Sequence, residues 1–305
     1  MKRGYALPVS GSWATPENIV RVARRAEELG YSSLWTFQRL LSPVDASWGE
    51  MYRAVLDPTV VLGYAAAVTS SARLGVAVLN MPFVSPVLVA KQGATLDRLS
   101  GGRLDLGLGL GWSDEEYAAT GATKRHQARR SEDFIGALRA LWTQDPVEHD
   151  GEFYRIPPTK ADPRPVQRPH PPILLGGTAP AALRRAGRLT DGWVSSSRAD
   201  LGRISESVDM VKEAAAEAGR DPAALRFVCR GVVRVREQSD DRAPLHGTLE
   251  QIQDDLEGLA GSGLTEVFVD LNFDPQVGSP DADPAASMEL AEAVLTALAA
   301  RPSGR

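Results

Sequence analysis

The chain has 305 residues, of which 43% are hydrophobic and 24% charged, so it can bury a large core and is not a disordered chain. A formal net charge of -5 without a basic block argues against nucleic acid or an anionic membrane surface as the main partner. The single cysteine, Cys229, excludes an intrachain disulfide and a cysteine metal cluster and fits a reducing cytoplasm. The N-terminus turns polar too soon for a signal peptide, and no apolar run approaches the ~18 residues of a membrane span.

Strand-like runs alternate with helix-period segments along the first half of the chain. Thr15, Asp57 and Ser85 each precede a proline, an arrangement typical of a helix N-cap followed by proline at the first helical position. The pattern predicts strands at 4–7, 33–37, 74–79 and 103–110. It predicts helices that begin at residues 16, 58 and 86, and a fourth helix marked by apolar positions 134, 135, 138 and 142.

The same alternation returns after an irregular stretch. Asp150-Gly151 predicts a small hairpin, and the proline-rich residues 157–172 are expected to be extended. Strands are predicted at 173–175, 193–194, 227–235 and 267–271. Helices are predicted at 180–188, 201–218, 248–259 and 284–300.

Eight strands, each followed by a helix, predict the α/β class and parallel pairing with helical crossovers. Eight such units in a chain of this length favour a closed (β/α)8 TIM barrel over an open doubly wound sheet. No linker divides the pattern, so we expect a single domain over residues 1–305. The long segments at 38–56, 111–128 and 272–283 are predicted insertion loops on the C-terminal face, where such barrels carry their sites.

Glycines mark two of the predicted strand ends. One strand leads directly into a helix through Gly176, Gly177 and Thr178. Backbone without side chains at such a position either directs N–H groups at a phosphate or only forms a tight turn. Gly107, Gly109 and Gly111 alternate along the fourth strand, which indicates either a closely approaching ligand or small layers inside a barrel. Both alternatives remain open from the residues alone.

The titratable residues do not indicate a catalytic site built from protein side chains alone. The four histidines are scattered without metal-ligand spacing, so we expect no metal site. No G-x-S-x-G nucleophile motif is present. The absence of an evident nucleophile or metal ligand set favours chemistry carried by a bound organic cofactor.

Several segments resemble the bacterial luciferase-like superfamily of flavin- and F420-dependent oxidoreductases. They are ATLDRLSGGR at 94–103, GLGLGW at 107–112, PPILLGG at 171–177 and DGW at 191–193. The resemblance implies a barrel with its cofactor at the C-terminal mouth. It further implies a cis peptide between Ala77 and Val78 beneath the cofactor ring. The resemblance places the remaining cofactor contacts on Asn80, Gly109, Gly111, Gly176, Gly177 and Thr178, the last three at the phosphate.

One position departs from the family pattern. Many members carry Asp-His after the second strand, whereas this chain has Gln38-Arg39. An amide and a permanent cation thus replace an acid and a proton-active imidazole, so these two residues are the candidate catalytic positions. Arg39 is expected either to bind an anionic group of cofactor or substrate or to pair with a carboxylate on the 38–56 loop.

The similarity to the F420-dependent subgroup and the GC-rich coding that the excess of arginine over lysine indicates favour coenzyme F420 over FMN. The predicted activity is hydride transfer between F420 and a small organic substrate. The alternatives are an FMN-dependent monooxygenase and a binding protein that holds the cofactor without turnover. Trp13, Phe37, Trp112 and Trp193 are expected to line the pocket. A cytoplasmic homodimer is the expected assembly.

Overall fold

The computed structural model describes residues 1–45 and 48–299, and its centre is a closed barrel of eight parallel strands. The barrel order is β1-β12-β9-β8-β7-β4-β3-β2, and β1 also pairs with β2. The predicted (β/α)8 barrel is therefore confirmed. The barrel strands are β1 Lys2–Ala6, β2 Ser33–Thr36, β3 Arg73–Asn80, β4 Leu104–Gly109, β7 Ile173–Gly176, β8 Gly192–Val194, β9 Arg226–Val232 and β12 Glu266–Asp270.

Helices surround this barrel, and several begin where the sequence predicts. Thr15, Asp57 and Ser85 each accept a hydrogen bond from a backbone N–H of the following first turn, which confirms these caps. Among the described residues no helix is long and apolar enough to cross a membrane. The α-helices are α1 Pro16–Glu28, α2 Pro58–Ala66, α3 Pro86–Leu99, α4 Asp114–Thr120, α5 Gln127–Thr143, α6 Pro180–Leu189, α7 Ile204–Glu217, α8 Leu249–Gly258, α9 Pro275–Gly278 and α10 Pro284–Ala297.

Two small sheets lie outside the barrel. The predicted hairpin is the antiparallel pair β5 Val147–Asp150 and β6 Arg155–Thr159. The strand predicted at 227–235 instead divides, because the barrel strand ends at Val232 and β10 Arg234–Val235 pairs with β11 His246–Gly247. The helix predicted at 201–218 begins with a 3-10 turn, and the predicted end of the last helix at residue 300 lies outside the described residues.

The insertion loops contain helices that apolar periodicity did not predict. α4 lies within the loop at 111–128, and the Oγ atom of Ser113 caps it by accepting from the Glu116 N–H. α9, four residues long, lies within the loop at 272–283. Both helices are too short to give a recognisable 3.6-residue pattern, so only their caps signal them.

Large apolar side chains fill the barrel below its C-terminal mouth. Trp35 and Phe268 stack with ring centroids 5.1 Å apart, and Leu174, Val194 and Val228 belong to the same buried cluster. Close packing at this level closes the lower barrel, as is typical of this fold. The open space therefore begins above this layer, at the carboxyl ends of the strands.

Candidate functional site

A cavity of about 390 Å³ opens at the C-terminal ends of the barrel strands. All ten predicted site residues line it, although they come from four strand ends that are distant in sequence. They are Gln38, Arg39, Ala77, Val78, Asn80, Gly109, Gly111, Gly176, Gly177 and Thr178. The barrel topology thus brings the sequence candidates to one place. Their binding of a cofactor stays a prediction.

Val78 forms a raised apolar platform inside this cavity. The Ala77–Val78 peptide is cis, as predicted, and the pairing of β3 with β4 shifts register between Val76 and Leu79. A Cβ atom on Gly109 would overlap a methyl group of Val78, and one on Gly176 would lie 2.9 Å from Val78 Cγ1. These two glycines are therefore required by the protein's own packing around the platform, before any ligand is considered.

The glycine turn at the start of α6 leaves backbone groups exposed to the cavity. Gly177 has φ +148°, and a Cβ there would lie 2.6 Å from the Ala182 Cβ, so a side chain is excluded on both counts. The N-cap residue, Ala179, has no side-chain acceptor for the first-turn N–H groups of α6. Trp193 Nε1 donates to the Gly177 carbonyl at 2.8 Å and fixes the turn from below.

Gln38 connects two strand ends through a hydrogen bond to backbone. Its Oε1 atom accepts a hydrogen bond from the Asn80 backbone N–H at 2.9 Å. The amide thereby holds the end of β2 against the end of β3, beside the platform. The catalytic assignment of Gln38 stays a prediction.

Arg39 makes a buried ion pair. Its Nη1 lies 2.9 Å from Oε2 of Glu116, and the two side chains are only 5% and 1% exposed. The other carboxylate oxygen, Oε1, accepts from the N–H groups of Leu40 and Leu41. The expectation that any carboxylate partner would lie on the 38–56 loop is wrong, because Glu116 belongs to α4 in the neighbouring loop.

Three aromatic rings enclose the Arg39 guanidinium. Its Cζ lies 4.3 Å from the ring centroid of Trp112, 4.9 Å from that of Tyr52 and 5.0 Å from that of Trp48. Burial lowers the pKa of Arg39, and the charge of Glu116 opposes that shift. The ion pair and the rings together fasten the 38–56 loop to the 111–128 loop along one rim of the cavity.

Arg230 is a cavity residue that sequence reasoning missed. It lies on β9, its Nη2 donates to the Ala77 carbonyl, and its Cζ lies 4.8 Å from the ring centroid of Phe273. Its Nη1 is 3.6 Å from Oδ2 of Asp270. A single arginine within the buried run FVCRGV was the available signal, because an unpaired charge is costly inside a barrel.

Asp270 and Arg230 are both almost fully excluded from solvent. Burial raises the pKa of Asp270, while the Arg230 charge and hydrogen bonds from Asn272 oppose this. Burial likewise lowers the pKa of Arg230, against the charge of Asp270. Burial thus disfavours the charged form of each partner, and the 3.6 Å separation distinguishes this pair from a hydrogen-bonded ion pair.

Only part of the predicted aromatic lining is correct. Phe37 and Trp112 line the cavity, Trp193 lines an adjoining cavity that shares Thr178 and Ser196 with it, and Trp13 is buried in the surrounding core. Tyr52 and Phe273, which were not predicted, complete the aromatic wall. No histidine occurs among the described lining residues, and no group of three or more His, Cys, Asp or Glu side chains suited to a metal ion occurs in residues 1–45 and 48–299.

Comparisons with known proteins agree with this architecture. The family model of luciferase-like monooxygenases matches residues 2–266. The uncharacterized protein Rv0953c of Mycobacterium tuberculosis is 36% identical over 233 residues, which cover 72% of this chain and 80% of that protein. The FMNH(2)-dependent dimethylsulfone monooxygenase of Pseudomonas putida is 38% identical over 156 residues, covering 50% of this chain and 42% of that protein.

Solved structures show the same fold. An F420-dependent secondary alcohol dehydrogenase in complex with an F420-acetone adduct superposes with a TM-score of 0.79. The alignment covers 97% of this chain and 98% of that chain at 17% sequence identity. At this identity the likeness concerns the fold alone.

Proposed function

The chain belongs to the luciferase-like monooxygenase family, and from this premise we propose that it is an oxidoreductase that uses coenzyme F420. The proposed reaction transfers a hydride between F420 and a small organic substrate held beside it. The observation that carries the proposal is the convergence of the platform, the glycine turn and the aromatic wall on one cavity.

The residues present fit a ring with a phosphate-bearing side chain. Val78 offers a flat apolar support that Gly109 and Gly176 leave room for. At the Gly177–Ala179 turn, the N-cap Ala179 offers no side-chain acceptor to the start of α6, and helix N-termini favour anions. When bound, a deazaflavin supplies the ring carbon that gives or takes a hydride.

The chain's own contribution is to bind, orient and exclude water. Val78 would support the ring, and the glycine turn would hold the phosphate. The buried rings of Phe37 and Tyr52 and the half-exposed ring of Trp112 form an aromatic wall that would limit the access of water. Holding both reactants in register is a large source of rate enhancement in reactions of this kind.

A second cavity supports F420 over FMN. It shares Thr178 and Ser196 with the first cavity and extends along Arg198 and Arg203, which lie beside Asp200 and Glu206. A cofactor whose chain continues beyond its phosphate has a polar path there, whereas FMN ends at its phosphate. The alternative is an FMN-dependent monooxygenase, which the name of the Pseudomonas putida relative supports.

Titration of the purified chain with F420 and with FMN tests the proposal. We expect F420 to bind more tightly. Ala179→Asp is the decisive variant, because an Asp at this N-cap stabilises the helix by up to about 1 kcal/mol and at the same time opposes a phosphate. We expect at least tenfold weaker cofactor binding, whereas the uncharged cap of Ala179→Ser leaves affinity within about threefold.

Three results would contradict the proposal. Equal cofactor affinity of the Asp and Ser variants would exclude the phosphate assignment. If the chain binds FMN and does not bind F420, the FMN-dependent monooxygenase replaces the F420-dependent oxidoreductase as the proposed function. A cofactor-loaded protein that turns over none of a broad panel of enones, imines, alcohols and ketones would favour a binding protein.

The homodimer, the single domain and the cytoplasmic location stay predictions. Light scattering measures the oligomeric state.

A further inference from the structure

Resting on the proposed function, we propose that Arg230 binds the oxyanion of the substrate, and that the substrate is a small organic carboxylate with an unsaturated or aromatic body. Arg230 lines the cavity and has a side chain that is 5% exposed. The argument depends on its unused donors, its distant counter-charge and the rings around it.

Most of the side-chain donors of Arg230 have no acceptor among residues 1–45 and 48–299. A guanidinium carries five N–H groups. Within the described chain, the Arg230 side chain donates one hydrogen bond, from Nη2 to the Ala77 carbonyl, and its buried Nε has no partner. Buried donors left unpaired are unfavourable, so an acceptor from outside the protein would stabilise this side chain.

The counter-charge of Arg230 is present but poorly engaged. Asp270 Oδ2 lies 3.6 Å from Nη1, beyond hydrogen-bond distance, and this oxygen accepts no hydrogen bond from any described residue. The other oxygen of Asp270 accepts from the N–H and Nδ2 groups of Asn272. Arg230 therefore retains positive charge that a carboxylate entering the cavity can engage in the bidentate geometry that guanidinium favours.

Aromatic rings determine the body of the predicted substrate. The Cζ of Arg230 lies 5.3 Å from the ring centroid of Phe37 and 4.8 Å from that of Phe273, and both rings line the cavity. The Phe273 ring also contacts Tyr52, with centroids 5.6 Å apart. A carboxylate on Arg230 would place the rest of a small molecule along this wall, where a flat unsaturated body packs best.

Arg39 is not an equivalent site. Its buried Nε also lacks a partner, but its charge is met by a hydrogen-bonded carboxylate on Glu116, and three rings already surround it. Both arginines border the same aromatic wall, because Arg39 lies over Tyr52 and Arg230 over Phe273. Of these two arginines, only Arg230 lacks a hydrogen-bonded carboxylate among the described residues.

The test uses benzoate as the probe and benzamide as its neutral counterpart. Cofactor affinity is measured first, and the cofactor-loaded chain is then titrated with each compound by cofactor absorbance or fluorescence. The cofactor-free chain is titrated by calorimetry. We expect benzoate to bind at least tenfold more tightly than benzamide in both forms.

Three variants test whether Arg230 causes the preference for benzoate over benzamide. Arg230→Gln should abolish it while leaving cofactor affinity within threefold, and Arg230→Lys should keep part of it. Arg53→Gln removes one positive charge from an exposed arginine next to Tyr52, and should keep all of it. A preference that survives in Arg230→Gln, or a wild-type chain without one, overturns the assignment.

Two further outcomes separate the proposals. A chain that binds neither cofactor but prefers benzoate through Arg230 overturns the proposed function and supports this inference. If Arg230→Gln weakens the cofactor by more than tenfold and leaves the benzoate preference unchanged, the guanidinium contacts the cofactor, and this inference is wrong.

Discussion

Arg39 and Arg230 border one aromatic wall, yet the two guanidinium groups differ in how closely a carboxylate approaches them. Glu116 lies within hydrogen-bond distance of Arg39 and also accepts from two backbone amides. Asp270 stands 3.6 Å from Arg230 without a hydrogen bond between them. The first arginine joins two loops through that carboxylate, whereas the second has no hydrogen-bonded carboxylate within the described chain.

This comparison shows that residue type and burial do not decide what an arginine does. Both side chains are 5% exposed, and both lie over aromatic rings. The difference is whether a carboxylate is hydrogen-bonded to the guanidinium, because an engaged carboxylate neutralises the charge that an anionic ligand would need. Four predictions test that difference, from the largest expected effect to the smallest.

Removing the carboxylate from the Arg39 pair should have the largest effect. Glu116→Ala leaves a buried cation uncompensated and two N–H groups without their acceptor, so we expect the free energy of unfolding to fall by about 3 kcal/mol. Denaturant unfolding measures this. Glu115→Ala is the adjacent control at an exposed carboxylate and should leave stability almost unchanged. Equal small changes in both variants would mean that the pair is not a structural link.

Replacing each arginine by glutamine should give the next largest change in the free energy of unfolding. Arg39→Gln should lower the free energy of unfolding by about 2 kcal/mol, since it leaves the Glu116 carboxylate buried without its cation. Arg230→Gln should stay within about 1 kcal/mol of wild type, because the amide can still donate to Ala77 and Asp270 can take up a proton. Thermal and denaturant unfolding measure both variants. The reverse order of the two losses would contradict the distinction drawn between them.

The rings around Arg39 should contribute less than its carboxylate. Trp112→Leu removes the ring nearest to the guanidinium, so we expect a loss of about 1 kcal/mol. A double-mutant cycle isolates the contact, because the same substitution in an Arg39→Gln background should cost clearly less. Additive losses would show that Trp112 acts through burial alone.

The smallest effect concerns Asp270, and its sign depends on pH. Burial raises the pKa of Asp270, so the folded chain keeps this proton to a higher pH than the unfolded chain does. Its ionisation therefore lowers stability as the pH rises from about 4, the unfolded pKa, through the raised folded pKa. We expect Asp270→Asn to be as stable as wild type near pH 4 and more stable at pH 7, by less than about 1 kcal/mol.

Urea unfolding at several pH values measures that difference. Asp281→Asn, at a side chain that is 70% exposed, should show no such trend. If the stability advantage of the Asp270→Asn variant grows as the pH falls, Arg230 holds Asp270 ionised, and the two arginine sites are then alike.

The sequence by itself determined the barrel and the places where its candidate site residues lie. Strand and helix periods repeat eight times, and the residues that follow each strand must meet at one end of a parallel barrel, so local patterns sufficed to bring Gln38, Asn80 and Gly177 together. The conformation at Ala77–Val78 followed from family resemblance, and the structure agrees.

The partners of the charged residues were decided only by the tertiary structure. Glu116 reaches Arg39 from a helix 77 positions away, and Arg230 reaches Ala77 across 153 positions. Such pairings depend on how two loops and two opposite strands are placed in space, which no periodicity encodes. Sequence reasoning therefore selected Arg39 for its unusual position and overlooked Arg230 inside a buried strand, because whether a cation is neutralised is a property of distance between side chains.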